Sequence, residues 1–194
     1  FITLAKCFPD NVGKFPKILL DGDVGDNAVQ FAYSKLAGTP LAYAEELEEG
    51  SRLNLNAIKD LHSGSGQDAR DPGGKWYEAR PTWAAWILVN NLPLLVGIVD
   101  ESVKKRIEII PAPHRFVPES DVHKDPSYLP MDDTIVRRRD QEVEAVRPAA
   151  AAWIIEGLRR LRDEYNDSMY RKGAEPASVR RATDQYLEGG DSLS

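Results

Sequence analysis

Short apolar runs that alternate with segments of helical spacing constrain this chain more than any other feature of its sequence. The runs cover residues 41–44, 82–89 and 107–110, a length typical of buried strands. Apolar residues recur at helical spacing over 28–36 and 54–61, before and between these runs. Strands that alternate with helices predict an α/β fold.

The rest of the chain predicts a core over residues 1–135 and a helical C-terminal lobe over 136–194. Within the core, the glycine-rich segment 62–80 is predicted to be a loop. Within the lobe, one helix is predicted to have Pro148 in its first turn, and a second to end at Gly189 and the glycine after it.

Composition excludes several classes of protein. A chain of 194 residues with 42% hydrophobic residues can form a core, and its net charge of −6 argues against non-specific coating of nucleic acid. The single cysteine, Cys7, rules out an internal disulfide framework and suits a reducing compartment. No apolar run has the length that a transmembrane helix needs.

Polar groups stand at the ends of the three apolar runs. Glu45 and Glu46 follow the first run, Asn90 follows the second, and Arg106 precedes the third. Ligands of open α/β sheets bind at the carboxyl ends of strands, where acids, an amide and an arginine suit magnesium, attacking water and γ-phosphate. Taken singly, each group also fits a solvated acidic turn, a strand-end turn or a basic surface cluster.

The order and spacing of these groups resemble a known family. The stretches Leu41–Asn54, Ile58–Arg70, Pro81–Pro93 and Val103–Pro111 are similar to the Walker B, DNA-binding, sensor 1 and arginine-finger segments of phage and plasmid primase-helicases. These proteins form the poxvirus primase-helicase-like branch of superfamily 3, within the AAA+ ATPases. The resemblance implies a AAA+ core with a helical lid.

The resemblance also implies roles for individual residues. Glu46 would be the Walker B acid that holds Mg²⁺, with Glu45 beside it, Asn90 the sensor and Arg106 the finger acting on a neighbouring subunit's ATP. A further set, in the segment that contacts single-stranded DNA, would bind phosphates: Lys59, Arg70 and Lys75. The protein would be a hexameric DNA helicase, with a primase domain or subunit as a further partner, in the cytoplasm of a bacterial or phage-infected cell.

The printed sequence lacks one part of such an enzyme. A phosphate loop reads G-x-x-x-x-G-K-[ST], and the nearest match, Gly13-Lys14, has Phe8 and Phe15 at two of the required positions. Residues 1–8 are interpreted as the remainder of the helix that follows this loop, so the chain alone is expected to be inactive. The alternative is a non-catalytic remnant or accessory subunit that binds DNA or partner subunits.

Two other groups of residues bear on metal binding and on base stacking. The three histidines, His62, His114 and His123, lack metal-ligand spacing, so a zinc site is not expected. Trp76 and Tyr77 lie in the polar segment and are candidates for stacking on bases, because stacking needs an exposed ring near cationic groups. The other tryptophans, Trp83, Trp86 and Trp153, are expected to belong to the core.

Overall fold

The computed structural model describes residues 2–21, 26–45, 47–165 and 175–191 of the chain, which divide into two units. The first unit contains Phe8–Glu108 and the described residues from 185 onward. The second contains Ile2–Cys7 and Ile109–Asp184. The fold is mixed α/β, as the alternation of apolar runs predicts.

A three-stranded parallel sheet organises the first unit. Its strands are β1 (Val12–Lys14), β2 (Leu41–Glu45) and β6 (Ala84–Leu88), in the order β1-β2-β6. The central strand β2 is buried at Ala42, Tyr43 and Ala44, because a strand paired on both sides and covered on its faces has no exposed surface. The prediction of a strand in each of the first two apolar runs is confirmed, but β6 is not a fully buried strand, since Trp86 is 38% exposed.

Four helices, which pack on one another and on two further short strands, complete the core of the first unit. They are α2 (Ile18–Asp21), α3 (Asp26–Leu36), α4 (Leu55–Leu61) and α5 (Glu101–Lys104). Leu36 and Leu55 are fully buried. Helix α4 begins where Asn54 caps it, since the Asn54 side chain accepts hydrogen bonds from the N–H groups of Asn56 and Ala57.

Two further strand pairs lie in the first unit. Strand β3 (Arg52–Asn54) pairs in parallel with β7 (Leu94–Val96), and β4 (Gln67–Ala69) pairs with β5 (Tyr77–Ala79) as an antiparallel hairpin. The prediction of a loop over 62–80 is therefore wrong. Strands of three residues between glycine-rich turns are too short to show alternation.

The second unit combines helices with one small parallel strand pair. It holds α1 (Ile2–Cys7), β8 (Arg115–Val117), a 3₁₀ helix (Glu119–Lys124), β9 (Tyr128–Pro130), α6 (Asp133–Gln141), α7 (Val143–Tyr165) and the first part of α8 (Ala177–Asp191). Helix α1 packs on α7, and the Lys6 ammonium forms an ion pair with Asp140.

Three predictions from the sequence are wrong in detail. Residues 107–110 form no strand. Pro148 lies inside α7, not in its first turn, and α8 continues through Gly189 to Asp191. A single proline or glycine does not always end a helix, and both helices continue through theirs. No helix among the described residues is long and apolar enough to cross a membrane.

Candidate functional site

The carboxyl ends of β2 and β6 lie side by side. The two strands are paired in parallel register from Leu41 with Ala84 to Glu45 with Leu88. Asn90 follows shortly after Leu88, so the predicted acid and amide both leave the sheet at the same edge. Glu45 is partly buried and Asn90 is exposed.

The donor set at this edge is suited in part to Mg²⁺ and ATP. Mg²⁺ in nucleotide sites takes one or two carboxylates and fills its other positions with waters and phosphate oxygens, and Glu45 supplies one carboxylate. Glu46, the predicted metal ligand, lies outside the described residues. Within the described ranges, no cluster of three or more His, Cys, Asp or Glu residues is placed to hold a metal ion.

A phosphate cradle is not present at Gly13-Lys14. These residues lie in strand β1, where Gly13 and Lys14 are aligned with Ala42 and Tyr43 of β2. An extended strand does not form the concave nest of backbone N–H groups that surrounds a phosphate. The residues of β1 therefore do not fit the phosphates of ATP. This agrees with the sequence, in which Gly13-Lys14 does not match the pattern of a phosphate loop.

Arg106 lies in a turn directly after α5, and its guanidinium folds back onto that helix. Its Nη1 donates a hydrogen bond to the backbone oxygen of Ser102 at 2.7 Å, and its backbone N–H donates to Val103. Its Nε is buried and has no hydrogen-bond partner in the described part of the chain. The pKa of His62 lies below its ordinary value because burial, and then the positive charge of Arg106, disfavour the imidazolium.

Helices α4 and α5 are joined by an ion pair that the sequence analysis missed. The Lys59 ammonium donates to Asp100 Oδ2 at 2.7 Å, while Asp100 Oδ1 caps α5 by accepting from the N–H groups of Ser102 and Val103. Hydrogen bonds from Lys59 and Ser102 hold the pKa of the Asp100 carboxyl well below its usual range. Lys59, predicted to bind DNA, already has an anionic partner.

Arg70 and Lys75, the other predicted DNA-binding residues, share the loop at the tip of the β4–β5 hairpin. The Lys75 side chain is exposed. Arg70 instead lies beside two aromatic rings, with its Cζ 4.6 Å from the ring centre of Trp76 and 5.5 Å from that of Phe31. Of the predicted set, Lys75 alone is both on this loop and fully at the surface.

Two contacts of the candidate residues escaped the sequence analysis for different reasons. Asp100 precedes α5 in the pattern Asp-Glu-Ser, a signal typical of a helix N-cap that could have located it. Phe31 belongs to α3, whose contact with the hairpin joins residues distant in the sequence, and no local signal predicts it.

Comparison with known proteins gives no family for this chain. Neither a scan against protein-family models nor a search of curated proteins finds a match.

Proposed function

We propose that this chain forms part of the ATPase region of a DNA helicase that moves on single-stranded DNA as a hexamer, with the AAA+ arrangement that the resemblance implies. The observation that carries the proposal is the parallel pairing of β2 with β6, which brings the acid and the amide to one edge of a sheet. The proposal concerns a protein in which these residues occur together with a phosphate loop, since the printed 194 residues do not contain one.

Each residue of the predicted site has a chemical task in this proposal. Glu46 and Glu45 would hold Mg²⁺ and polarise the attacking water, which Asn90 would orient by hydrogen bonding. Bound Mg²⁺ neutralises charge on the phosphates of ATP. These tasks require carboxylate and amide oxygens at the ends of neighbouring strands, which is where Glu45 and Asn90 leave the sheet.

Arg106 acts in the proposal on the ATP of a neighbouring subunit. An arginine that reaches across an interface stabilises charge on the transferred phosphoryl group and accelerates hydrolysis by about 10³- to 10⁵-fold. To reach a neighbour, the guanidinium must release the backbone oxygen of Ser102. Its buried Nε, which lacks a partner in the described residues, favours that release, because an unsatisfied polar group destabilises the resting position.

The test uses the product of the whole reading frame that contains this chain. ATP hydrolysis with and without single-stranded DNA is measured for the wild type, Glu46→Gln, Asn90→Ala and Arg106→Ala, with Lys105→Ala as the control. Lys105 is the exposed neighbour of Arg106 in the same basic cluster. We expect the three site variants to lose at least about 100-fold in rate and the control to keep wild-type activity.

Mixing variants tests whether Arg106 acts between subunits. Glu46→Gln and Arg106→Ala subunits should each be inactive alone, but rings that mix them would contain interfaces with an intact Glu46 on one side and an intact Arg106 on the other. We expect the mixture to recover part of the wild-type rate. Full DNA-stimulated hydrolysis by Arg106→Ala would refute the role of this residue.

A second candidate function is a non-catalytic subunit that binds DNA or partner subunits. The observation that favours it is the location of Gly13-Lys14 within strand β1, where it cannot form a phosphate nest. The coding DNA upstream of Phe1 separates the two candidates: an in-frame GKS or GKT motif supports the ATPase, and a start codon there supports the non-catalytic subunit. Micromolar ATP binding by the 194-residue chain would contradict the second candidate.

A further inference from the structure

The loop of the β4–β5 hairpin is held by a tight turn at its tip. The Gly74 N–H donates to the backbone oxygen of Asp71 at 2.8 Å, and Gly73 has φ +75°. Pro72 and Gly73 at the central positions, with positive φ at the second, match a type II turn. The two arms of the loop therefore run in opposite directions before and after this turn.

Arg70 and Trp76 face each other at the turn end of the hairpin. The last paired residues are Ala69 and Tyr77, and the next residue on each side is Arg70 or Trp76. The Arg70 guanidinium carbon lies 4.6 Å from the centre of the Trp76 ring. The same carbon is 5.5 Å from the centre of the Phe31 ring, so Arg70 connects the hairpin loop to α3.

This contact orients the Trp76 ring while leaving most of it exposed. The guanidinium is attracted to one face of the ring by a cation–π interaction. Trp76 nevertheless keeps 54% of its surface accessible, and the neighbouring Tyr77 keeps 40%. An aromatic ring whose orientation is already fixed loses less entropy when a flat ligand stacks on it.

Charge near the hairpin is balanced, which limits the kind of ligand that it attracts. Acidic and basic residues occur in equal number between 67 and 80: Asp68, Asp71 and Glu78 against Arg70, Lys75 and Arg80. Arg80 donates from Nε to Glu78 Oε1 at 2.8 Å, so part of the positive charge is neutralised locally. A ligand that binds through many phosphates would gain little here, whereas a ligand with a flat ring can use Trp76.

We propose that the exposed face of Trp76 is a stacking site for an unpaired nucleobase, with Arg70 as a positioning residue behind the ring. The site binds any base, because every base has a π face, and Lys75 contacts the adjacent phosphate. This inference rests on the proposed function, since it assumes that single-stranded DNA passes the hairpin. It adds that the base, and not the backbone charge, provides most of the binding energy at this point.

The experiment compares two strands that differ only in having bases. Binding of the 194-residue chain to a fluorescent oligothymidine and to an abasic strand with the same number of phosphates is measured by anisotropy. We expect Trp76→Ala to bind oligothymidine about tenfold more weakly than the wild type does, and to bind the abasic strand equally well. Arg70→Ala should show a smaller loss of the same kind, confined to the strand with bases.

Three control variants separate stacking from general damage to the fold. Trp76→Phe keeps an aromatic face and should retain affinity within about threefold of the wild type. Trp153→Ala removes a ring that is 71% exposed in the second unit and should change neither affinity. Lys75→Ala should weaken binding to both strands and reduce the salt dependence of binding by about one counterion.

The outcomes distinguish failure of the stacking site from failure of the proposed function. Equal binding of oligothymidine by the wild type and Trp76→Ala overturns the stacking site alone, as does an equal loss on both strands. Absence of wild-type binding to either strand overturns the stacking site together with the DNA-binding part of the proposed function.

Discussion

Gly190 of α8 provides the sharpest test of packing in the first unit. A Cβ at this position would lie 2.5 Å from Leu95 Cδ1 and 3.1 Å from Leu95 Cβ, closer than side chains pack in proteins. Gly189, the residue before it in the same helix, has nothing within 4 Å of such a Cβ. The two positions therefore offer the same substitution with and without a steric neighbour.

The expected magnitudes follow from two opposing effects. Alanine in place of glycine inside a helix stabilises by about 0.5–1 kcal/mol, because glycine loses more backbone entropy on folding. Overpacking against Leu95 costs about 1–3 kcal/mol, since Leu95 must move away from its strand β7 position. Gly189→Ala should therefore raise the free energy of unfolding, and Gly190→Ala should lower it by about 1 kcal/mol.

Urea unfolding followed by far-UV circular dichroism measures both variants. The difference between them isolates the steric effect, because the gain in helix propensity is nearly the same for the two. In a Leu95→Ala background, which removes Leu95 Cγ and Cδ1, Gly190→Ala should lose most of its cost. Equal shifts of the same sign for Gly189→Ala and Gly190→Ala would refute the close approach of α8 to β7.

Three further predictions concern stability. Tyr186 OH donates to the Pro93 oxygen at 2.6 Å, so Tyr186→Phe should lower the free energy of unfolding by about 1 kcal/mol at pH 7. Burial raises the pKa of Tyr186 above its ordinary value, so the wild type should lose stability above about pH 10 more steeply than Tyr186→Phe in alkaline urea titrations. Leu36→Ala should lower the free energy of unfolding by about 2–5 kcal/mol, and Lys35→Ala, at the exposed neighbouring position, by under about 0.5 kcal/mol. Urea unfolding measures both variants, and equal effects would contradict the burial of Leu36. Asn54→Ala should lower the free energy of unfolding by about 1 kcal/mol because the α4 cap is lost, and Asn54→Asp should restore most of that free energy.

The sequence was sufficient for the part of the fold that depends on local pattern. The strands at 41–45 and 84–88 and the helix at 55–61 coincide with apolar periodicity and a capping asparagine. Their parallel pairing then brings Glu45 and the segment before Asn90 together without further information.

Contacts between distant residues were beyond the same reasoning. The hairpin was missed because its strands have three residues each and glycines surround them. The partner of Lys59 is Asp100, 41 positions away, and the partner of Arg70 on α3 is Phe31. The sequence does not show whether a cationic side chain in a polar segment is available to bind a phosphate or already contacts another residue of the fold.

The hairpin lies within the connection between β2 and β6, and this position has a consequence for folding order. Strands β4 and β5 pair residues close in sequence, whereas β2 pairs with a strand that begins at Ala84. Local pairs close small loops and form early, while distant pairs must first bring their ends together. Formation of the hairpin and α4 shortens the effective loop between β2 and β6, so we expect β2 to pair with β6, and Glu45 to approach Asn90, after the hairpin and α4 have formed.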